Sequence, residues 1–445
     1  MNTPICDFVR AYADAKPIRL HMPGHKGAPL LGTEALDITE IPGADVLYPA
    51  RGIIRDSEEN AARLFGSVRT LYSAEGSSLC IRAMLYLALL HATQQGRKPR
   101  IAAARNAHRV FWEAAALLDL EVTLLGAPDG LLSCSLTEAD LEKVFRDRET
   151  APCAVYVTSP DYLGNRLNLN ALADCCHRNG ALLLVDNAHG AYLKFLPQSL
   201  HPLDLGADLC CDSAHKTLPV LTGGAYLHFS RSCPTALLNQ AERALSLFAS
   251  TSPSYLILQS LDAANPLLCD AFPRRLAQVT AEITALRQRL ADLGWRLAGD
   301  EPLKLSLCPK YLGYTGTELS QFLLDRNIVC EFADPDVVVL MFGVLAGQTA
   351  VDRLEAALLS LSRRPALTEV PPPLPHPAPV LTPREALLRP SESIPIEQSL
   401  GRILASPSVS CPPAVPIVIC GERIGEGALR LFRYYGIHRC DVVSE

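Results

Sequence analysis

Four short apolar runs constrain what this chain can fold into: IAAA (101–104), EVTLL (121–125), CAVYVTS (153–159) and ALLLVDNA (181–188). Turn residues bound each run, and helix-like stretches lie between them. One such stretch, LNALADCCHRNG (169–180), has the apolar spacing of a helix and a glycine, Gly180, suited to its C-terminal cap. Buried strands alternating with helices over residues 70–230 predict an α/β fold, a mostly parallel sheet covered by helices. Ligands in such sheets gather at the C-terminal ends of the strands.

With 445 residues the chain exceeds one ordinary domain. Residues 233–295 read as helical. LKLSLC (303–308), TELSQFLLDRN (317–327), IVCEFADPDVVVLMFG (328–343) and VDRLEAALLSLS (351–362) read as a β-α-β-β-α unit. PPPLPHPAP (371–379) is a stiff linker without a core of its own. The expected division is an N-terminal arm (1–27), a major domain (28–295), a small α/β domain (296–370), the linker (371–379) and a C-terminal α+β domain (380–445).

Acids and bases are well mixed and the net charge is −6, which argues against a nucleic-acid surface. No stretch of 18 or more uncharged apolar residues stands out, so no membrane span is expected. MNTPICDFVRAYADAKP carries acids early and does not read as a signal peptide. The fifteen cysteines include no CxxC and no zinc spacing. They read as buried thiols of a cytoplasmic protein, with no metal site.

The chemistry starts at Asp186. A carboxylate closing a buried strand is costly unless a cation meets it. Thirty residues on, DSAHKT (212–217) places Lys216 after a histidine and between small residues, with a Gly pair behind it. Each alone has an ordinary reading, Asp186 as an ion pair and Lys216 as a solvated lysine. Together they match the needs of pyridoxal 5′-phosphate (PLP). That cofactor requires a lysine to join its aldehyde, a carboxylate for its ring nitrogen, a phosphate cradle, and flat or small groups on the ring faces. Gly76-Ser77-Ser78, opening an apolar helix, can form the cradle, with Ser213 and His215 as further donors. His108, after the strand IAAA, can lie on one ring face. GSS is also a good helix cap, and His108 also fits a loop or core position. The order along the chain is more specific than any member.

These segments resemble the Orn/Lys/Arg decarboxylase family, PLP enzymes of fold type I, the aspartate-aminotransferase fold. The resemblance covers nearly the whole length. It rests on LHMPGHKG (20–27), EIPGADVLYPARGIIRDSEENAARLFGS (40–67), EGSS, RNAHR, VDNAHGAYL, DSAHKTLPVLT and STSPSYLILQSLDAA (250–264). Past the linker, IPIEQSLGRILA (394–405) and CPPAVPIVICGERI (411–424) fit as well. The length matches the compact members, without an N-terminal wing domain.

The resemblance implies that Lys216 forms the internal aldimine, that Asp186 pairs with the pyridinium nitrogen, and that His108 and Ala188 flank the ring. Ser77, Ser78, Ser213 and His215 would hold the phosphate, and His189 would lie near Asp186 or the cofactor rim. It also implies a homodimer or higher oligomer with the site at the interface, Ser252 of a partner subunit helping to hold the phosphate, and PGHKG packing nearby. The implied reaction decarboxylates lysine, arginine or ornithine to an amine of polyamine metabolism, with Lys216 or His215 returning the proton and burial keeping Lys216 neutral.

Two segments depart from the family pattern. Asn187 gives DNAHG where DEAHG is usual, and TGGAYLH follows the lysine where relatives carry Gln and small polar residues. Two other functions stay open at this level: an aminotransferase of the same fold, and a PLP-binding protein without turnover. The first is disfavoured by the absence of arginine from VVVLMFGVLAGQ (337–348). Glu422 reads either as a group reaching a basic substrate or as half of a surface salt bridge.

Overall fold

The structure is a computed structural model that describes residues 1–126, 133–345, 347–375, 377, 379–409 and 415–444. Parts of the expected linker (376 and 378), of VVVLMFGVLAGQ (346) and of CPPAVPIVICGERI (411–414) therefore lie outside the described residues. The chain divides into two compact units. One holds 1–97, 153–155 and 169–276, and the other holds 98–152, 156–168 and 277–445.

Among the described residues the largest sheet has seven strands. They are β1 (Arg69–Ser73), β2 (Arg100–Ala104), β3 (Glu121–Leu125), β4 (Ala154–Thr158), β5 (Leu182–Asp186), β6 (Leu209–Asp212) and β7 (Ala225–Phe229). All four apolar runs form strands, and the run 181–188 ends its strand on Asp186.

In the first unit β5 and β6 run parallel, with Asp186 opposite Cys211. β7 lies antiparallel to both β6 and β1. Leu182 to Val185 are buried on both faces of the sheet, which is why the run needs no alternation of polar residues. The helix Gly76–Gln94 packs on β6 and β7. It has the length and apolar composition of a membrane span, but it buries Leu79, Ile81, Met84, Leu85 and Leu87 in the unit's core. The helix Leu169–Arg178 sits where the sequence predicts, followed by Gly180 at φ +67°. The stretch 233–295 is not continuous helix. It breaks into Thr235–Leu238, Ala241–Ser246, Tyr255–Cys269 and Ala271–Asp292, with Pro234 and Pro253 in the connections.

In the second unit β2 and β3 pair in parallel. An antiparallel sheet joins β8 (Arg296–Ala298), β9 (Lys304–Cys308), β10 (Phe332–Ala333) and β11 (Val338–Met341) in the order β10-β11-β9-β8. The helices Gly316–Leu324 and Gly347–Leu359 complete the expected β-α-β-β-α pattern, with β8 as an added edge. Further on, β12 (Ser391–Pro395) pairs with a last strand, Arg439–Val443.

Most cysteines are buried, and burial raises their thiols, Cys6 and Cys420 to about 12. Cys308 and Cys330 are half-buried, and Cys269 is exposed.

Candidate active site

The first unit brings most of the predicted residues to the ends of β5 and β6. Asp186 is 2% exposed; its Oδ1 accepts from the Ala188 N–H at 3.1 Å and from the Cys211 thiol at 3.7 Å. Ala188 and His189 follow in the same turn, both buried. Lys216 Nζ lies 3.1 Å from His189 Nε2. The Ser213 hydroxyl donates to Ser77 Oγ at 2.8 Å, which joins the lysine segment to the first turn of helix Gly76–Gln94. No side chain caps that helix; the Gly223 carbonyl takes its first N–H, that of Gly76, and Ser77 and Ser78 follow in the same turn. Gly76 adopts φ +69°, and a Cβ there would meet nothing within 4 Å, so the approach to the helix start is open.

Lys216 sits differently from the sequence expectation, and His215 and Ser252 are placed by contacts that the sequence does not show. Lys216 is exposed, where burial is the expectation that keeps it neutral: in the short helix Ala214–Thr217 the buried positions are Ala214 and Thr217. His215 donates through Nδ1–H to the Gly224 carbonyl at 3.0 Å, which leaves Nε2 as its available ring atom. Ser252 is exposed on a loop tied to the start of the cradle helix of its own chain, where the Ser250 N–H donates to Glu75 Oε1 at 2.7 Å.

The TGG departure is part of this frame. The Gly76 N–H donates to the Gly223 carbonyl at 2.7 Å, and His215 holds the Gly224 carbonyl. Gly223 has φ +99°, and a Cβ on Gly224 would fall 2.3 Å from Val220 Cγ1. The Gly pair was visible in the sequence, but its contacts were not.

His108 belongs to the second unit. It begins the helix Arg109–Leu117, is exposed, and accepts the Val110 N–H on Nδ1 at 3.3 Å. Three residues before it stands Arg105, 4% exposed, which settles the place of Glu422. Glu422 is 0% exposed and takes two parallel bonds from the Arg105 guanidinium, 2.7 and 2.8 Å. Arg105 also donates to the carbonyls of Pro416 and Ile417, and Glu422 accepts the Ile419 N–H at 2.9 Å. Glu422 is thus not a surface salt bridge but the fully buried partner of Arg105. It anchors the loop that leads into His108.

A family model described as Orn/Lys/Arg decarboxylase, major domain, matches residues 3–305. The chain belongs to the Orn/Lys/Arg decarboxylase family. The C-terminal domain of these decarboxylases matches residues 370–439. The chain is similar to an arginine decarboxylase of Halalkalibacterium halodurans, 30% identical over 97% of this chain and 93% of that one. It is also 30% identical to an uncharacterized protein, YaaO, of Bacillus subtilis, over 95% of this chain and 92% of that one. Its structure superposes on lysine decarboxylase A from Pseudomonas aeruginosa with a TM-score of 0.81, covering 99% of this chain and 80% of that one at 17% identity. The fold is the α/β fold expected, and membership in the decarboxylase family makes the chain an amino-acid decarboxylase.

Proposed function

We propose that this decarboxylase binds PLP at Lys216 and converts a basic L-amino acid, with arginine as the first candidate, to its amine and CO₂. The observation that carries the reading is the set at the ends of β5 and β6: a lysine amine, a buried carboxylate, and an uncapped helix start flanked by two serine hydroxyls. That donor set fits the cofactor. Lys216 would hold its aldehyde carbon, Asp186 its ring nitrogen, and Ser77, Ser78, Ser213 and the N–H groups of helix Gly76–Gln94 its phosphate. When bound, PLP supplies an electron sink for the carbon that loses CO₂.

The residues divide the remaining work. Asp186, buried and with Oδ1 held by the Ala188 N–H, is the carboxylate assigned to the ring nitrogen. His189, within hydrogen-bond reach of Lys216 Nζ, exchanges a proton with that amine. His215 is fixed by Gly224 and keeps Nε2 for a phosphate contact or a proton. His108 and Ala188 are assigned to the two ring faces.

The test is a panel of amino acids incubated with the purified protein and PLP, with amine and CO₂ identified by mass spectrometry. The expected result is equimolar amine and CO₂ from arginine, lysine or ornithine. PLP uptake without amine from any panel member would overturn the reading.

The same proposal includes a cytoplasmic homodimer, the five-part division of the chain given above, and Ser252 acting on a partner's phosphate. The oligomer is supported by the segment 18–31, where Ile18, Leu20, Met22, Leu30 and Leu31 are 66–91% exposed. Apolar side chains clustered this densely mark a contact surface. Light scattering is expected to give at least twice the chain mass, and an active monomer would contradict this.

A further inference from the structure

The DNAHG departure has a physical partner 25 residues on. Asn187 follows Asp186 out of β5, and Asp212 is the last residue of β6. The Asn187 N–H donates to the Cys211 carbonyl at 2.9 Å, and its side-chain amide donates to Asp212 Oδ1 at 2.7 Å. The turn closes tightly on this amide: the Gly190 N–H donates to the Asn187 carbonyl, and a Cβ on Gly190 would fall 2.0 Å from Asn187 Oδ1. Both side chains are completely buried.

An ionised carboxylate without water is costly unless donors surround it. Burial alone would raise the Asp212 carboxyl, but His201 and His228 outweigh this and hold it well below the usual carboxylate range. His201 Nε2 lies 3.0 Å and His228 Nε2 3.3 Å from Oδ2. The Leu203 N–H points at His201 Nδ1 at 3.4 Å, so Nδ1 accepts and Nε2 carries the hydrogen that goes to Asp212. His228 Nδ1 pairs with Thr70 Oγ1 at 2.8 Å. Cys210 lies beside this group, its Sγ within 4.8 Å of the His201 and Asp212 ligand atoms. The proton on His201 Nε2 nevertheless makes the arrangement a hydrogen-bond network, not a set of metal ligands.

Asp212 therefore only accepts, and residue 187 must donate to it. An amide meets that requirement and a carboxylate does not, which accounts for asparagine at a position where the family pattern has glutamate. The bond also lies between the two segments that carry the chemistry, Asp186 one residue before Asn187 and Ser213 to Lys216 directly after Asp212.

We propose that Asn187 and Asp212 form a polar latch that sets the Lys216 segment against the end of β5, and that the two residues are matched to each other. They are positioning residues. The effect on the cofactor rests on the reading that Lys216 holds PLP; the matching does not.

The test compares N187E, D212Q, the double variant N187E/D212Q, and N187A with the wild-type chain. Two quantities are read: the melting temperature of the PLP-free protein, and the PLP dissociation constant from visible absorbance. N187E sets two carboxylates together. It is expected to lower the melting temperature and weaken PLP binding about tenfold or more, the scale of one lost buried hydrogen bond to a charged group. The double variant restores a donor–acceptor pair with its direction reversed and is expected to recover most of both losses. A double variant no better than N187E in either quantity would overturn the latch. Should N187E not fold, a folded double variant supports the matching. Should neither fold, N187A decides: tenfold weaker PLP binding supports the latch, and wild-type binding overturns it. If the wild-type chain itself takes up no PLP, the proposed function fails, while the order of the melting temperatures still tests the pair.

Discussion

Replacing Lys216 by alanine is expected to reduce amine formation by at least about 10³-fold, the range of groups acting directly at a reacting centre. His189, whose Nε2 lies 3.1 Å from Nζ, moves protons but does not anchor an aldehyde, so it does not take the lysine's place. The loss should leave the fold intact. Lys216 is exposed, and exposed substitutions away from caps and buried networks stay within about 0.5 kcal/mol. Melting temperature, amine yield by mass spectrometry and the visible band of bound PLP should therefore separate cleanly. A Lys216→Ala protein that keeps the band unchanged would move the covalent anchor elsewhere and undo the assignment.

Replacing Arg105 by alanine is expected to act on stability. The Arg105–Glu422 pair is 4% and 0% exposed, and the substitution strands a carboxylate in a dry interior. Removing one partner of a buried pair costs about 3–5 kcal/mol. The cost is larger than the bare ion pair implies, because Arg105 also satisfies the carbonyls of Pro416 and Ile417. Replacing both residues by apolar side chains of similar volume, Arg105→Met with Glu422→Leu, should recover much of the loss, since no charge is left unpaired. Chemical denaturation of the three proteins reads the difference. A single variant within about 1 kcal/mol of the parent would show that the pair does not hold the loop.

The two expectations differ in how far the sequence could carry them. Asp186 and Lys216 stand out by their immediate neighbours, one closing an apolar run and the other set among small residues, but only as a pair do they point to a cofactor. The strands IAAA, CAVYVTS and ALLLVDNA are readable for a related reason, since burial on both faces leaves a continuous apolar signal, whereas EVTLL alternates, with Glu121 and Thr123 exposed. β1, β6 and β7 carry no such run. They hold Thr70, Asp212 and His228, polar residues that satisfy one another inside the core, and only the three-dimensional pairing shows why they are tolerated there. Glu422 is the extreme case. Its partner is 317 residues away in the chain, so no local pattern distinguishes a buried anchor from a surface charge or a substrate ligand. The helical reading of 233–295 holds for its content, but the breaks into four helices could not be placed from prolines: Pro253 lies in one connection, while Pro266 sits inside the helix Tyr255–Cys269.

The distribution of cysteines has a practical consequence. Thiol reagents attack the thiolate, and burial keeps the interior sulfurs protonated and out of reach. Cys308, raised to about 11, and Cys330 are shielded in part by the same effect. Among the described residues Cys269, at the end of helix Tyr255–Cys269, is the one exposed thiol. Among the described residues this sulfur-rich chain thus offers one exposed address, a place for a fluorophore or a spin label on a residue with no role assigned in the chemistry.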